Sequence, residues 1–355
     1  MDIRELLNLT VKNKASDLHL LVGIAPTIRL DGVLNPLSNY PPLTNEVLEA
    51  MIFSVISPHQ KELLLANKEL DFSFGFAKDA NGSEGRFRVN IYYQRGYISG
   101  AFRYLEPTIR TIEQLKLPKI CNDFAKLKQG FVLVTGPTGH GKSTTLAAMI
   151  NEVNINRSLH ILTIEDPIEY VYPVGKSIVS QREMGQDSHS WNYALRSALR
   201  EDPDVVLVGE MRDPETIAAA ITIAETGHLV FSTLHTNSAS QTIDRMIDSF
   251  PPSQQQQVRI QLASTLKGII SQRLLPQING GRVPAAEVLI GNNAVATNIR
   301  DGKTHLIDSI IETSQDVGMI SLESSLSSLV MTGTISLETA KSYATRPDDL
   351  LRMVV

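Results

Sequence analysis

The sequence predicts an α/β protein in which a small α+β domain precedes a domain built on a parallel β-sheet. Its 355 residues are the length of about two domains. From residue 1 to about 105, short strands are separated by turn residues, as in an antiparallel meander. From residue 130 onwards, short and almost wholly apolar segments alternate with helical patterns. That alternation indicates a parallel sheet covered on both faces.

The composition narrows the class of protein. With 42% hydrophobic and 20% charged residues, the chain has the composition of ordinary globular proteins and not of disordered ones. A net charge of -5 and 6% aromatic residues give no reason to expect nucleic acid as a partner. The single cysteine, Cys121, excludes a multi-cysteine zinc site and fits a reducing, cytoplasmic compartment. Because no apolar run approaches roughly 18 residues, we expect no integral membrane segment.

The first domain is expected to occupy residues 1–105. Its segments ELLNLTVKNK and 45–66 have helical spacing, and DLHLLV and TIRLDG indicate strands. Further antiparallel strands are expected in FSFGF and in RFRVNIYYQRGYISGAFRYL, with turns at Asn81-Gly82 and Arg95-Gly96. Two prolines in residues 106–118 end this meander, so we place the linker there.

The second domain, residues 119–355, is expected to alternate strands and helices. Its expected strands are GFVLVTG (130–136), HILTIED (160–166), PDVVLVGE (203–210) and HLVFSTLHT (228–236). Helical patterns separate these strands, and residues 238–355 have mostly helical patterns. Because ligands bind at the carboxyl ends of the strands in such sheets, we expect the chemistry at that edge.

The strongest motif is GPTGHGKS at 136–143, a G-x-x-x-x-G-K-[ST] phosphate loop between a predicted strand and a predicted helix. Its glycines let backbone N–H groups curl around phosphate oxygens at a helix N-terminus. Lys142 is expected to bridge the β- and γ-phosphates of ATP, and Ser143 to offer its hydroxyl to Mg²⁺. The residues expected to bind the nucleotide are Gly136, Pro137, Thr138, Gly139, His140, Gly141, Lys142, Ser143 and Thr144.

Two of the predicted strands end in carboxylates. Glu210 follows VVLVG and Glu165 follows ILTI, so both are expected at the edge where a triphosphate would lie. Glu210 could orient or polarise the attacking water, help to hold Mg²⁺, or do both. Asp213, which precedes a proline, is interpreted as the N-cap of the next helix.

The strand LVFSTL is preceded by His228 and followed by His235. An imidazole at the strand end could contact the γ-phosphate and report its hydrolysis. Because a lone histidine is often structural, both roles stay open for His235. For His228, His189 and His305 the residues alone favour a structural role.

Four arginines, Arg86, Arg88, Arg95 and Arg103, lie along the meander of the first domain. Alternation places Arg86 and Arg88 on one face of a strand. They either form a solvated basic face or reach a triphosphate, for example that of a neighbouring subunit, as arginine fingers do. The spacing does not separate these hypotheses.

Several long motifs together resemble the PilT family of type IV pilus retraction ATPases, within the type II/IV secretion ATPase superfamily. They are ALRSALREDPDVVLVGEMRDPETIAAAITIAETGHLVFSTLHT (194–236), GPTGHGKSTT, ILTIEDPIEY, ASDLHL, RFRVN and ISQRLLP. The resemblance covers essentially the whole chain. It implies a PAS-like N-terminal domain, a RecA-like ATPase domain with C-terminal helices, and a homo-hexameric ring with ATP between subunits.

The resemblance also implies roles for individual residues. ILTIEDPIEY is similar to the family's Asp box, VVLVGE to its atypical Walker B and GHLVFSTLHT to its His box. The residues with implied catalytic roles are Glu165, Glu210, His228 and His235. Arg88 and Arg103 are the implied N-terminal arginines that help to bind nucleotide.

Two segments depart from the family pattern. His140 stands where the family usually has Ser; because that position acts mainly through its backbone, we expect binding to survive, although the rate could change. Near the C-terminus, AVATNIRD at 294–301 stands in place of AIRNLIRE, a motif tied to retraction and not to hydrolysis. The second departure leaves the ATPase prediction intact and weakens the prediction of retraction.

The leading hypothesis is a hexameric ATPase motor that retracts type IV pili, peripherally bound at the pilus base on the cytoplasmic side of the inner membrane. Its expected partners are copies of itself, an inner-membrane pilus platform protein and a PilU-like paralogue, with no nucleic acid. A PilU-like accessory motor stays open as an alternative. A pilus-assembly or type II secretion ATPase is disfavoured by the lone cysteine, and a nucleic-acid translocase by the acidic composition. A scaffold without turnover is disfavoured by Lys142 and Glu210.

Overall fold

The structure, a computed structural model, describes residues 2–30, 32–78, 84–105 and 108–354. It divides the chain into two compact units, Met1–Thr108 with Asp166–Pro173, and Ile109–Glu165 with Val174–Val355. The predicted domain ranges do not separate Asp166–Pro173 from the rest of the second domain. The predicted turn at Asn81-Gly82 and the linker residues 106 and 107 lie outside the described residues.

The first unit contains a six-stranded antiparallel sheet of order β3-β2-β1-β6-β5-β4. Its strands are β1 Asp17–Leu21, β2 Thr27–Leu30, β3 Val33–Pro36, β4 Glu69–Lys78, β5 Glu84–Gln94 and β6 Tyr97–Leu105. Its helices are α1 Ile3–Lys12, α2 Asn45–Phe53 and α3 Pro58–Asn67. Strands β4, β5 and β6 follow one another in the sheet, so the expected meander is present.

Side-chain alternation determines which face of this sheet is buried. Phe87, Val89 and Ile91 of β5 have no exposed surface, whereas Arg88, between the first two, is exposed. Successive residues of a strand point to opposite faces, so the apolar set packs into the core and the arginine lies on the other side of the sheet.

The second unit contains the longer alternation of strands and helices. Its strands are β7 Gly130–Thr135, β8 His160–Glu165, β9 Ile178–Glu183, β10 Val205–Val208, β11 Leu229–Leu234, β12 Leu266–Pro276 and β13 Arg282–Ile290. The first helices are α4 Ile120–Lys126, α5 Lys142–Asn156, α6 Trp191–Ala198, α7 Pro214–Glu225, α8 Ala239–Asp248 and α9 Pro252–Thr265. The later helices are α10 Asn293–Arg300, α11 Ile307–Thr313, α12 Leu322–Met331, α13 Leu337–Tyr343 and α14 Pro347–Val354, with 3₁₀ turns at Thr304–Leu306 and Gln315–Val317. None of the described helices is both long and apolar enough to span a bilayer.

The seven strands form one sheet of order β13-β12-β7-β11-β10-β8-β9. All neighbouring pairs are parallel except β12 with β13. The residues of β7, β10 and β11 are all buried, which explains why these strands have almost continuous apolar sequences. Their carboxyl ends meet at one edge of the sheet, where the phosphate loop, Glu210 and His235 follow.

The prediction of mostly helical structure after residue 238 is wrong for residues 266–290, which form β12 and β13. Strand β12 lies between β7 and β13 and is buried along most of its length. Its sequence LKGIISQRLLP therefore lacks the alternation of a half-exposed strand. An apolar run of this kind does not distinguish a buried strand from a buried helix.

The helices α12, α13 and α14 pack against one end of the β12–β13 hairpin. A separate apolar cluster joins Leu275 and Val283 of the hairpin to Leu322, Leu326 and Leu350 of the helices. We call this group the C-terminal cluster. It connects the last helices directly to the strand that borders the phosphate loop.

A buried carboxyl group lies between the hairpin and the start of α8. Glu287 of β13 accepts a hydrogen bond from the backbone N–H of Ala239 at 2.7 Å. The pKa of Glu287 is raised to about 7, chiefly by burial; Asp308 and Glu323 add to the rise, and the Ala239 N–H and Arg346 oppose it. The folded protein therefore holds a proton here that the unfolded chain, with a pKa of 4.5, releases at lower pH.

The substitution Glu287→Gln is expected to stabilise the protein at pH 8 and not at pH 4. A raised carboxyl pKa gives stability that is complete below pH 4.5 and is lost as the pH rises to about 7. A glutamine keeps an acceptor for the Ala239 N–H without a charge, so the gain at pH 8 should reach about 3 kcal/mol. Denaturant unfolding at both pH values measures the change in unfolding free energy, with Glu62→Gln at an exposed position as control. An equal change at both pH values would contradict the raised pKa of Glu287.

Candidate nucleotide site

The phosphate loop leaves the end of β7 through a backbone that requires glycine. Gly136 has φ of 139°, and a Cβ there would lie 2.4 Å from the backbone oxygen of Gln272. Gly141 has φ of 84° and a Cβ there would lie 3.0 Å from Nε2 of the same residue. Both glycines are thus needed for the backbone conformation and for close packing against β12.

Helix α5 begins at Lys142, directly after the loop. Its N-cap residue, Gly141, has no side chain to accept from the first turn of the helix. The N–H groups of that turn, together with the helix dipole, form a site that favours anions. Ser143 is exposed on the same turn, where a hydroxyl beside bound phosphates is available to a cation.

A hydrogen-bonded series links the loop to two other strand ends. Nζ of Lys142 donates to the carbonyl oxygens of Gly136 at 2.9 Å and Pro137 at 3.1 Å, and lies 3.4 Å from Nδ1 of His235. Nε2 of His235 is 3.2 Å from Oε2 of Glu210. An imidazole with its proton on Nε2 donates to Glu210 and accepts from Lys142. The structure thus brings together three residues predicted from separate motifs.

Glu210 lies two residues beyond the end of β10 and is mostly shielded from solvent. Its side chain is 19% exposed and also pairs with Arg212. Glu165, at the end of the adjacent strand β8, accepts hydrogen bonds from Thr163 at 2.7 Å and Gln181 at 3.3 Å. A Cβ on Gly209 would lie 3.3 Å from Cα of Glu165. The two predicted carboxylates therefore lie at neighbouring strand ends whose backbones are in close contact.

The oxygen donors of this edge suit a magnesium nucleotide. Mg²⁺ prefers oxygen ligands and is commonly held by one or two protein oxygens together with substrate phosphates and water. Ser143 supplies a hydroxyl and Glu210 a carboxylate at the same edge of the sheet. Among the described residues, no three His, Cys, Asp or Glu side chains cluster in a way that would hold a metal by themselves.

Comparison with known proteins shows the family. Residues 112–332 match the family model described as type II/IV secretion system protein. The chain is 46% identical over 349 residues to the type IV pilus retractation ATPase PilT of Pseudomonas aeruginosa, covering 98% of this chain and 100% of that protein. The chain belongs to the PilT family.

A second pilus ATPase and a solved structure are also similar to this chain over nearly its whole length. The type IV pilus ATPase PilU of Pseudomonas aeruginosa is 39% identical over 355 residues, with 100% of this chain and 91% of that protein covered. A crystal structure of the pilus retraction motor PilT with bound ADP has 47% identity and a TM-score of 0.91, over 99% of both chains. The predicted family, the α/β fold class with its RecA-like ATPase domain, and the classification as an ATPase are confirmed.

His228 and Asp213 lie at opposite ends of α7 in this PilT-family ATPase unit. Nδ1 of His228 lies 2.9 Å from the carbonyl oxygen of Ile223 and 3.1 Å from Oγ1 of Thr226. It precedes β11, at the opposite end of that strand from His235, so the unit does not bring it to the phosphate loop. Its implied catalytic role stays a prediction. Asp213 accepts from the backbone N–H of Thr216 at 2.8 Å, which confirms it as the N-cap of α7.

Arg88 and Arg103 belong to the first unit and lie opposite each other on β5 and β6. Nε of Arg103 is 2.9 Å from Oδ1 of Asp17, while Arg88 is exposed. Burial alone would raise the pKa of Asp17, but hydrogen bonds from Ser16 and Arg103 outweigh it and hold the pKa below its usual value. The nucleotide-binding role of both arginines stays a prediction.

Two residues of β12 that border the loop were not identified from the sequence as part of the site. Gln272, which is 2% exposed, accepts from Oγ1 of Thr145 and donates to the carbonyl of His140, both at 2.7 Å. Arg273 donates to the carbonyl of Asn237, two residues after His235, at 3.0 Å. Both residues lie in the motif ISQRLLP, which was identified from the sequence. Their contacts depend on the position of β12 beside β7, however, and this segment was predicted to be helical.

The substitution Gln272→Leu is expected to destabilise the protein by about 1–3 kcal/mol, because it leaves the Thr145 hydroxyl and the His140 carbonyl without their buried partner. Denaturant unfolding measures this loss of unfolding free energy. Gln257→Leu, at an exposed position of α9, is the matched control. Equal stability of the two variants would show that Gln272 does not hold the loop.

Proposed function

We propose that the chain is a hexameric ATP-hydrolysing motor that powers type IV pilus retraction, and thereby twitching motility, from the cytoplasmic side of the inner membrane. The observation that carries the proposal is the hydrogen-bonded series Lys142–His235–Glu210 at the strand ends. Its relatives PilT and PilU, named as pilus ATPases, support the pilus as the substrate of the motor. The expected partners are five further copies of the chain, an inner-membrane pilus platform protein and a PilU-like paralogue.

Nucleotide binding begins with the phosphate loop. Its N–H groups and the first turn of α5 would surround the β-phosphate, and Nζ of Lys142 would exchange the carbonyls of Gly136 and Pro137 for phosphate oxygens. Ser143 and Glu210 would hold Mg²⁺, which neutralises the charge on the β- and γ-phosphates when bound. Arg88 and Arg103 are proposed as further cationic contacts to the nucleotide.

In the hydrolysis step, Glu210 is proposed to orient a water molecule and to accept its proton. The water oxygen forms a bond to the γ-phosphorus while the bond from that phosphorus to the β,γ-bridging oxygen breaks, which yields ADP and phosphate. Glu165, at the neighbouring strand end, would help to set the charge around the water.

The position of His235 suits it to report hydrolysis. It contacts both Lys142, which would bind the γ-phosphate, and Glu210, which would orient the water. Loss of the γ-phosphate would change the partners of Lys142 and Glu210. His235 is also the first residue of a loop that Arg273 of β12 holds through the carbonyl of Asn237. A ligand-dependent change at this point can bias a larger rigid-body movement.

An accessory role beside another retraction motor is the second candidate. The segment AVATNIRD, most of which forms α10, departs from the family motif tied to retraction. The relationship to PilU extends over the whole chain. Both observations are compatible with the same ATPase chemistry.

The substitution Glu210→Gln is expected to leave ATP binding intact and to reduce phosphate release by about 10²–10⁴-fold, since the amide cannot accept the proton of the attacking water. The measurement is steady-state phosphate release together with nucleotide affinity by calorimetry. Asp213→Asn is the control, because it makes the same chemical change three residues away and keeps a good N-cap. Near-normal turnover by Glu210→Gln would remove Glu210 from the mechanism.

Deletion of the gene in the source organism is expected to give cells with excess surface pili and no twitching motility, because pili are assembled and not withdrawn. Piliation is counted by electron microscopy and motility on agar. Complementation with the wild-type gene should restore both phenotypes, and complementation with Glu210→Gln should not. Bald cells would contradict retraction, and normal piliation with weakened motility would favour the accessory role.

A further inference from the structure

His140 uses its side chain as well as its backbone in the phosphate loop. Its Nδ1 accepts a hydrogen bond from the backbone N–H of Leu274 at 2.9 Å. Strand β7 pairs with β12 only as far as Thr135 opposite Ser271. Beyond that point, no strand of the described residues pairs with the edge of β12 that faces the loop, and the imidazole takes the place of a strand partner.

This contact requires a neutral ring, because Nδ1 must keep its lone pair to accept. Burial lowers the pKa of His140, and the cationic side chains of Arg273, Lys142 and Arg282 lower it further. These charges lie on β12, α5 and β13. The surroundings therefore keep the ring in the state that binds the Leu274 N–H.

The same ring also contacts the C-terminal helices. Its centroid lies 6.3 Å from that of Tyr343 in α13, with the planes tilted by 58°, which is within the range of an aromatic pair. Tyr343 packs against the C-terminal cluster, and Leu275, the neighbour of Leu274, is a fully buried member of it. One side chain of the loop thus touches both the end of β12 and α13.

We propose that His140 is a positioning residue that couples nucleotide occupancy of the phosphate loop to α13 through its contacts with Leu274 and Tyr343. The inference rests on the proposed function of the loop as the ATP site. A serine at this position would have a shorter polar group and no ring. The proposed coupling therefore depends on the histidine of this chain.

The two contacts can be separated by substitution. Oδ1 of an asparagine extends about as far from Cβ as Nδ1 of histidine, so His140→Asn keeps an acceptor for Leu274 and loses the ring. Tyr343→Leu keeps an apolar side chain on the C-terminal cluster and removes the aromatic partner. His140→Ser removes both contacts.

The test is hydrogen–deuterium exchange of the full chain with and without saturating ADP, together with ADP affinity by calorimetry. In the wild type, ADP should slow exchange in the phosphate loop and in α13. His140→Ser should weaken ADP binding by about fivefold, since the loop loses one hydrogen bond, and should abolish the response of α13. His140→Asn should restore affinity to within about twofold but not the response of α13.

Tyr343→Leu should also abolish the response of α13 while exchange at the Leu274 amide stays slow. Because this residue lies outside the phosphate loop, the variant keeps the test decisive even where His140→Ser does not fold. An undiminished α13 response in His140→Ser or Tyr343→Leu would overturn the coupling, as would a wild-type α13 that ignores bound ADP. Absence of any ADP effect on the wild-type loop would instead refute the proposed nucleotide site, and the coupling with it.

Discussion

The parallel register of the central strands is the constraint on which the rest of the site depends. Thr135 of β7 lies opposite Leu234 of β11, so the phosphate loop and His235 leave the sheet at the same level. Val208 of β10 lies opposite Ile164 of β8, which places Glu165 at the end of β8 and Glu210 just beyond the end of its neighbour β10. A slip of one residue would turn the side chains of a strand to the other face, so the backbone pairing itself assembles the site.

The sequence allowed the phosphate loop, Glu210 and the strand ends to be predicted, because short apolar strands and turn glycines are local signals. It did not allow β12 to be predicted, since a strand buried on both faces has no period that separates it from a helix. The role of Gln272 could not be predicted without β12, because its partners, Thr145 and His140, are more than a hundred residues away in the sequence. For His228, the local pattern favoured a structural role and the family resemblance a catalytic one; its contacts with Ile223 and Thr226 leave the catalytic role a prediction.

Buried polar groups cluster around the edge of the sheet that carries the chemistry. Gln272 and Arg273 hold the phosphate loop and the loop after His235 from one strand, and Glu287 holds the start of α8 from the next. Each of these groups is costly to remove from water unless it is hydrogen-bonded. An apolar side chain could fill the same volume, but it could not determine the position of a backbone carbonyl or N–H group. The site therefore depends on polar contacts that a more stable apolar interior would lack.

The chain passes between its two units after Thr108, after Glu165 and again after Pro173. The units are therefore joined by three covalent connections, and no single peptide bond separates them. Proteolysis at one site would leave the halves tethered, and neither half can be expressed complete as one uninterrupted segment. Glu165 is the last residue before the second connection, so the backbone directly after this carboxylate is itself one of the covalent links between the units.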